Sequence, residues 1–162
     1  MGKLTIRKAE IKDVPTILNF IKSLAKYEKL LDQVTATEDL LKESLFGKNA
    51  TAECSIGFSE DNPVAFAVYF HNFSTFLGKP GLYLEDLFVL PEFRNNGYGK
   101  EMFAYLAKLA VERNCGRFEW AVLDWNKPAL EFYKKLGAER LDEWVIHRLS
   151  GDTLKKLIDN NL

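Results

Sequence analysis

The residues of this 162-residue chain that could carry chemistry concentrate between positions 82 and 100. Residues 82–90 form an apolar, β-prone run, and Pro91 ends it because proline cannot continue a central strand. Gly97 and Gly99 follow within a polar turn, and a helical pattern of apolar residues starts directly after them. A helix start offers free backbone N–H groups and the positive end of the helix dipole. The segment therefore predicts a site for a phosphate-bearing cofactor, with Arg94 as a fixed positive charge.

Two common nucleotide motifs do not match this turn. A P-loop needs Ser or Thr after Gly-Lys, but Gly99 and Lys100 are followed by Glu101. A Rossmann fingerprint needs a third glycine where Met102 stands. A purely structural glycine turn remains a second interpretation.

The elements that must position this segment follow from periodicity. Alternation predicts strands near 4–8, 51–58, 63–70, 82–90, 117–123 and 143–148. Helical spacing predicts a helix from 14 that ends within 26–29, one from 35 or 37 to 46, one that starts directly after Gly99 and ends within 113–116, and two near 128–136 and 152–158. Residues 72–81 are expected to form a loop. The central hairpins imply antiparallel pairs, and the later strand–helix–strand crossover implies a parallel pair. The pattern predicts one domain with a mixed sheet covered by helices.

Composition narrows the function classes. The net charge of −1 gives no bulk electrostatic reason to bind nucleic acid. No apolar run approaches the roughly 20 residues of a membrane helix, and the first residues do not resemble a secretory signal. Cys54 and Cys115 form no disulfide framework, and His71 and His147 lack a metal-ligand pattern. These features predict a cytoplasmic protein without a metal site, a nucleic-acid partner or a membrane partner.

Two segments carry a family resemblance. Arg94-x-x-Gly97-x-Gly99 resembles the acetyl-CoA-binding motif of the GNAT superfamily of N-acetyltransferases. Residues 126–138 resemble the Asn-x-x-Ala-x-x-Phe-Tyr segment of the same superfamily. The resemblance implies the α/β (α+β) GNAT fold: a mixed central sheet of six to seven strands flanked by helices, in a single domain over residues 1–162. It also implies acetyl-CoA as cosubstrate and a homodimer.

The resemblance narrows further to the spermidine/spermine (diamine) acetyltransferase family. Residues 24–28, 83–86 and 121–126 look like segments of that family. Residues 124–126, with Ser74 and Thr75, look closer to its thialysine-acetylating branch. The polyamine branch carries an acid in the loop at 72–79, and this chain has none there. The implied substrate is a small primary amine, either a diamine, a polyamine or a lysine analogue.

Acetyl transfer to an amine needs two proton-handling groups. An alkyl ammonium has a pKa of about 10.4 and must lose a proton before it can attack. Glu85 interrupts an apolar strand, and burial would raise its pKa toward the range of a general base. Glu85 and Asp86 are expected on opposite sheet faces, so one of them could simply be solvated. Tyr133 matches the catalytic tyrosine that protonates the departing thiolate; its other interpretation is a core tyrosine.

The remaining site residues divide between cofactor and amine. The resemblance implies cofactor contacts at Leu87, Phe88, Val89, Arg94, Asn95, Asn96, Gly97, Tyr98, Gly99, Lys100, Asn126, Ala129 and Lys135. A cationic amine favours carboxylates and an aromatic wall, which are offered by Tyr27, Glu28, Glu85 and Asp86, with Asp142, Glu143 and Trp144 as further candidates. Glu28, Asp142 and Glu143 could equally be solvent-exposed charges.

Two other functions stay open. A protein amine acetyltransferase would need a broad open groove rather than a compact pocket. A non-catalytic acyl-CoA-binding module would bind coenzyme A and release no thiol, but the presence of both Glu85 and Tyr133 favours an enzyme.

Overall fold

Over the residues that the structure describes, the sheet is mixed and has five strands. A computed structural model describes residues 3–159. Its strands are β1 (Thr5–Lys8), β2 (Glu53–Ser59), β3 (Asn62–Ser74), β4 (Lys79–Val89) and β5 (Phe118–Trp120). They lie in the order β1-β2-β3-β4-β5, with antiparallel pairs from β1 to β4 and a parallel pair between β4 and β5. The predicted α+β class and the mixed sheet are confirmed.

In this described part of the chain, five α-helices accompany the sheet. They are α1 (Val14–Tyr27), α2 (Glu38–Phe46), α3 (Tyr98–Glu112), α4 (Lys127–Lys135) and α5 (Asp152–Asp159). Their starts follow local chemistry. Pro15 occupies the first turn of α1, where its missing N–H costs little. Thr37 caps α2 by accepting a hydrogen bond from the Leu40 N–H at 3.3 Å.

The prediction of six to seven strands is wrong for the described residues. Residues 143–148 form no strand, and Trp144, Val145 and Ile146 are 75%, 73% and 72% exposed. A β-prone run makes a strand only when its backbone groups find a partner strand, and β propensity does not supply one. The predicted loop at 72–81 is also shorter, because β3 and β4 extend toward each other and leave only residues 75–78 as the turn.

Helix α1 covers one face of the sheet. Phe20 of α1 stacks on Phe66 of β3 with ring centroids 5.0 Å apart. Phe66 pairs across the ladder with Phe88 of β4, and both belong to the buried core with Ile17 and Ile56. The face that carries Phe88 is therefore the α1 face.

Helix α3 covers the opposite face. Phe103 of α3 contacts Phe118 and Trp120 of β5, with centroids 5.7 and 5.0 Å away. These β5 residues pair with Leu82 and Leu84, which alternate with Tyr83 on β4. Residues of β4 and β5 between these positions point toward the α1 face.

The chain divides into two compact units, one up to Ala121 and one from Val122 onward. The first holds the whole sheet with α1 to α3, and the second holds α4 and α5. The single domain over residues 1–162 remains a prediction. Among the helices of the described chain, none combines the length and the apolar character needed to cross a membrane.

Candidate active site

The two acids of β4 lie at a β-bulge. Val68 pairs with Asp86 and Tyr69 pairs with Leu84, so Glu85 has no partner on β3. A bulge interrupts the alternation of side chains along a strand. Glu85 lines a cavity together with Val68, the cross-strand partner of Asp86. The expectation that Glu85 and Asp86 point to opposite faces is therefore wrong, because both carboxylates lie on the face of Val68.

Asp86, rather than Glu85, is the acid that burial perturbs. Burial, together with the nearby charges of Glu85 and Glu28, raises the pKa of Asp86 from 3.8 to about 6, with burial as the largest cause. Burial also raises the pKa of Glu28, at the end of α1. Glu85 itself is exposed, so the expectation of a buried Glu85 is wrong. The group suited to exchange a proton near neutral pH is therefore Asp86, with Glu85 and Glu28 within electrostatic reach.

A cavity of about 370 Å³ opens beside these acids. Its lining residues are Thr51, Ala52, Val68, Phe70 and Glu85. The walls are mostly apolar and carry one carboxylate, a combination that suits an aliphatic amine. The sequence analysis did not assign Thr51, Val68 or Phe70 to the site. No local pattern could have found them, since their access to Glu85 depends on the bulge.

The β4 strand has an open backbone edge where a cofactor arm was predicted. Pairing with β5 covers only Leu82 to Leu84, while β4 continues to Val89. Over the described residues, the β5 side of Leu87, Phe88 and Val89 therefore has no strand partner. Phe88 and Val89 bury their side chains, so only their backbone groups are available to a ligand. An extended chain could add to this edge like a further strand.

The glycine turn is shaped by two left-handed residues. Asn95 has φ +64° and Gly97 has φ +83°, directly before α3 starts at Tyr98. Left-handed residues in a turn can direct neighbouring N–H groups toward a common point, as in anion-binding nests. The Asn96 amide donates to the carbonyls of Phe93 and Arg94 at 3.1 and 3.3 Å, which holds the turn. A Cβ on Gly97 would meet no atom within 4 Å, so its φ angle, not crowding, requires glycine.

Arg94 connects this turn to two other elements. Its Nε donates to the Val89 carbonyl at 3.1 Å. Its guanidinium carbon lies 4.4 Å from the ring centroid of Tyr27 and 5.2 Å from that of Phe88. Arg94 therefore fixes the turn against the end of β4 and the end of α1. The sequence placed Tyr27 among amine-binding residues, and the structure adds this contact with a residue of the cofactor turn.

The Tyr98 side chain is less available to a bound cofactor than its place in the motif suggests. Its side chain is 6% exposed, and its hydroxyl lies 2.9 Å from Ser59 Oγ. Only its backbone N–H at the first turn of α3 is suited to hold a ligand. Lys100, one helical position beyond Gly99, is exposed.

The second unit carries the other predicted cofactor and catalytic residues. Asn126 caps α4, with its side-chain oxygen accepting from the Ala129 N–H at 3.4 Å. Tyr133 lies on α4 with its ring centroid 5.6 Å from that of Phe132. Burial raises the pKa of Tyr133, which keeps its hydroxyl protonated. Lys135 is exposed near the end of the same helix.

The remaining amine-site candidates also lie in the second unit and are exposed. Asp142 forms an ion pair with Arg140. Glu143 is exposed, and Trp144 is one of the three exposed residues of the run at 144–146. The contact with Arg140 occupies part of the hydrogen-bonding capacity of the Asp142 carboxylate. Of the described residues, no group of His, Cys, Asp and Glu is arranged to hold a metal ion.

Residues 20–138 match the model of the acetyltransferase (GNAT) family. The chain belongs to this family. It is 37% identical to the thialysine N-epsilon-acetyltransferase of Sus scrofa over 97% of this chain and 98% of that protein. It is 29% identical to the L-ornithine N5-acetyltransferase of Arabidopsis thaliana over 97% of this chain and 89% of that protein.

A solved structure supports the fold of this GNAT family member. An integron cassette protein from the mobile metagenome of V. cholerae superposes with a TM-score of 0.81 at 26% identity, over 98% of this chain and 99% of that one. The family identification and the similarity to the thialysine-acetylating branch are confirmed. The GNAT family member described here is an N-acetyltransferase.

Proposed function

We propose that this N-acetyltransferase transfers the acetyl group of acetyl-CoA directly to a primary amine of a small basic molecule, either a lysine analogue, a diamine or a polyamine. The observation that carries the proposal is the arrangement along β4. Its bulge presents Glu85 and Asp86, its open edge follows at Leu87 to Val89, and the glycine turn begins a few residues later. One strand–turn–helix thus provides both an acidic amine site and a cofactor site.

The residues present fit acetyl-CoA. The left-handed Asn95 and Gly97 and the first turn of α3 offer backbone N–H groups for the pyrophosphate, with Arg94 and Lys100 as nearby positive charges. The open edge of β4 offers backbone groups for the pantetheine arm, and Asn126, Ala129 and Lys135 complete the proposed contacts. Bound acetyl-CoA would supply an activated acetyl thioester.

The acids at the bulge would attract the cationic amine and accept its proton. A cationic amine is attracted by Glu28, Glu85 and Asp86, and its charge would lower the raised pKa of Asp86. Glu85, the residue assigned from the sequence, or Asp86 would accept the amine proton, directly or through a water. We assign the role of proton acceptor to Glu85 and Asp86 together rather than to one of them, because the two carboxylates interact electrostatically.

Tyr133 would hold the proton that the departing thiol requires. Its raised pKa keeps the hydroxyl protonated until a stronger base forms nearby. Cys54 offers no good route through an acetyl-enzyme. Cys54 is buried, and burial raises the pKa of its thiol to about 12, so its nucleophilic thiolate is scarce. The proposed reaction is therefore direct transfer.

A small amine is better supported than a protein amine. The hollow beside Glu85 is open to solvent, with a volume of about 370 Å³ and apolar walls that can contact a short aliphatic chain. Relatives are named for thialysine and for L-ornithine, both small basic amino acids. We therefore rank a free basic amino acid first among the small amines.

The assembly and the compartment are further proposals. The family resemblance and the exposed apolar run Trp144, Val145 and Ile146 support a homodimer. Cys54 and Cys115 are both free thiols, which supports a reducing, cytoplasmic location. Val145→Glu, measured by sedimentation, should weaken a dimer built on this run, whereas Val111→Glu on the exposed surface of α3 should not.

The function is tested by the preference between free and peptide-bound amines. Thiol release from acetyl-CoA would be measured with L-lysine, L-ornithine, thialysine, diamines, spermidine and a lysine-containing peptide. We expect free small amines to exceed the peptide in kcat/KM by about tenfold or more, equivalent to about 1.4 kcal/mol. A better peptide would instead favour a protein acetyltransferase, and tight acetyl-CoA binding without thiol release would favour a binding module.

A further inference from the structure

A charged cluster lies on the same sheet face as the amine cavity. Tyr83 of β4 pairs with Glu119 of β5 in parallel register and with Phe70 of β3 in antiparallel register. Directly paired residues point to the same face of a sheet. The Phe70 and Tyr83 rings lie 5.1 Å apart, and Phe70 also lines the cavity with Glu85. A continuous surface therefore runs from Glu85 over the two rings to Glu119.

Glu119 and Arg117 form a partly exposed ion pair at the far end of this surface. Arg117 Nε lies 2.9 Å from Glu119 Oε2, with 37% and 30% of the two side chains exposed. The Asn72 amide donates to the same Oε2 at 2.9 Å, and Arg117 Nη2 donates to the Phe73 carbonyl at 3.3 Å. We call Asn72, Arg117 and Glu119 the β5 cluster.

The β5 cluster has hydrogen-bonding groups that its internal contacts do not use and that a ligand could contact. Both contacts of Glu119 fall on one oxygen, although a carboxylate accepts about four hydrogen bonds. Arg117 donates a hydrogen bond from Nη2, although a guanidinium has about five N–H donors. The Nε is near Glu119 yet not aligned for a hydrogen bond with it. The pair is thus not the closed bidentate arrangement that would use up both groups.

The spacing between the two ends of the surface is that of a short aliphatic chain. Glu85 lies two positions beyond Tyr83, and Tyr83 is adjacent to Glu119. A rise of about 3.3 Å per residue and a strand spacing of about 4.8 Å place the two glutamate backbones roughly 8 Å apart. An extended side chain of a basic amino acid spans a similar length.

We propose that the β5 cluster binds the head group of a free basic amino acid, with Glu119 accepting the α-ammonium and Arg117 donating to the α-carboxylate. The methylene chain lies along Phe70 and Tyr83, and the side-chain amine reaches Glu85 and Asp86. This inference rests on the proposed function and names the substrate class of that site. It assigns Arg117 and Glu119 as specificity-determining residues.

Charge complementarity distinguishes an amino acid from a diamine here. The Arg117–Glu119 pair is neutral overall, and so is a zwitterionic head group whose two charges can each meet an opposite one. The second ammonium of a diamine would meet Glu119 but would also lie beside the Arg117 charge. A site for diamines would gain from an unpaired acid at this position, which the cluster does not offer.

The test compares three amines that differ only at the head group: L-lysine, L-lysinamide and 1,5-diaminopentane. Thiol release would give kcat and KM for each with the wild-type protein, Arg117→Gln and Arg117→Lys. We expect the wild type to prefer L-lysine over 1,5-diaminopentane by about tenfold or more in kcat/KM. Arg117→Gln should remove most of this preference by raising KM for L-lysine and lowering KM for the diamine, whose second ammonium no longer lies beside a positive charge, and Arg117→Lys should restore part of it.

Lys79→Gln is the matched control, because it removes a positive charge from β4 whose ammonium contacts Asn114 instead. It should leave the preference intact. An equal loss for all three amines in Arg117→Gln would identify the β5 cluster as a structural brace and overturn the inference. If Arg117→Gln does not fold, the wild type decides: L-lysinamide or the diamine used as well as L-lysine would overturn it. Thiol release with no amine at all would instead contradict the proposed function.

Discussion

The guanidinium carbon of Arg94 lies 4.4 Å from the ring centroid of Tyr27. This contact joins the last residue of α1 to the turn that precedes α3. Glu28, one of the acids proposed to attract the amine, follows Tyr27 directly. The end of α1 is therefore positioned to serve the amine site through Glu28 and the cofactor turn through Tyr27.

Replacing Tyr27 should weaken acetyl-CoA binding if its ring positions Arg94. A cation–π contact contributes about 0.5–2 kcal/mol, so Tyr27→Leu should raise the Kd for acetyl-CoA by about 2- to 30-fold. Tyr27→Phe keeps the ring and should bind nearly as tightly as the wild type. Isothermal titration would measure both variants. Equal affinity of Tyr27→Leu and Tyr27→Phe would show that the ring does not support the cofactor site.

Asp86 should make the fold less stable above neutral pH than below it. Its folded-state pKa is raised from 3.8 to about 6, so ionisation is unfavourable in the folded protein, and stability is lost as the pH rises through this range. Asp86→Asn should therefore increase the free energy of unfolding at pH 8, by up to about 3 kcal/mol. The gain should shrink to a small remainder at pH 4 and vanish below about pH 3, where the carboxyl is protonated in both states.

Urea unfolding of wild type and Asp86→Asn at several pH values would test this, with Asp61→Asn in the exposed β2–β3 turn as control. The Asp86 variant should also lose turnover despite its greater stability, which is typical of a residue retained for function. A variant equally destabilised at pH 8 and pH 4 would contradict the burial of the charge.

Tyr133→Phe should reduce turnover and spare binding. A general acid contributes about 10²- to 10⁴-fold, so kcat should fall by about 10²-fold or more. The ring contact with Phe132 is kept, and the Kd for acetyl-CoA should stay nearly the same. Tyr105→Phe removes another tyrosine hydroxyl, one that meets Ser55 within the sheet, and serves as the control. An unchanged kcat in Tyr133→Phe would remove the proposed role.

No acetyl group should become attached to a cysteine. Direct transfer predicts that intact-protein mass spectrometry after incubation with acetyl-CoA, without amine, shows the unmodified mass. Cys54 is protected because burial raises the pKa of its thiol to about 12. Cys115→Ser should therefore leave turnover unchanged. A stoichiometric acetyl adduct that disappears on adding amine would establish a covalent route instead.

The sequence predicted the parts of the site that depend on local chemistry. The end of β4, the glycine turn and α3 lie where the pattern predicted them, since Pro91, Gly97 and the apolar spacing act within a few residues. The family motif likewise led to the confirmed N-acetyltransferase assignment.

The features that the sequence did not predict depend on pairing between distant segments. The bulge at Glu85 arises from the register of β3 against β4, and a bulge leaves no mark in the alternation of a buried strand. The predicted strand at 143–148 had the composition of a strand but no partner. The buried hydroxyl of Tyr98 depends on Ser59, which is 39 positions away in the chain. Each case required knowledge of which segments meet.

The central claim is acetyl transfer to a small amine, and product stoichiometry tests it most directly. Purified protein, acetyl-CoA and L-lysine or L-ornithine would be incubated, and free thiol and N-acetylated amine would be quantified together by mass spectrometry. The account predicts one acetylated amine for each thiol released, with both falling sharply in a Glu85→Gln, Asp86→Asn double variant. Saturable acetyl-CoA binding with neither product, for any small amine, would contradict it.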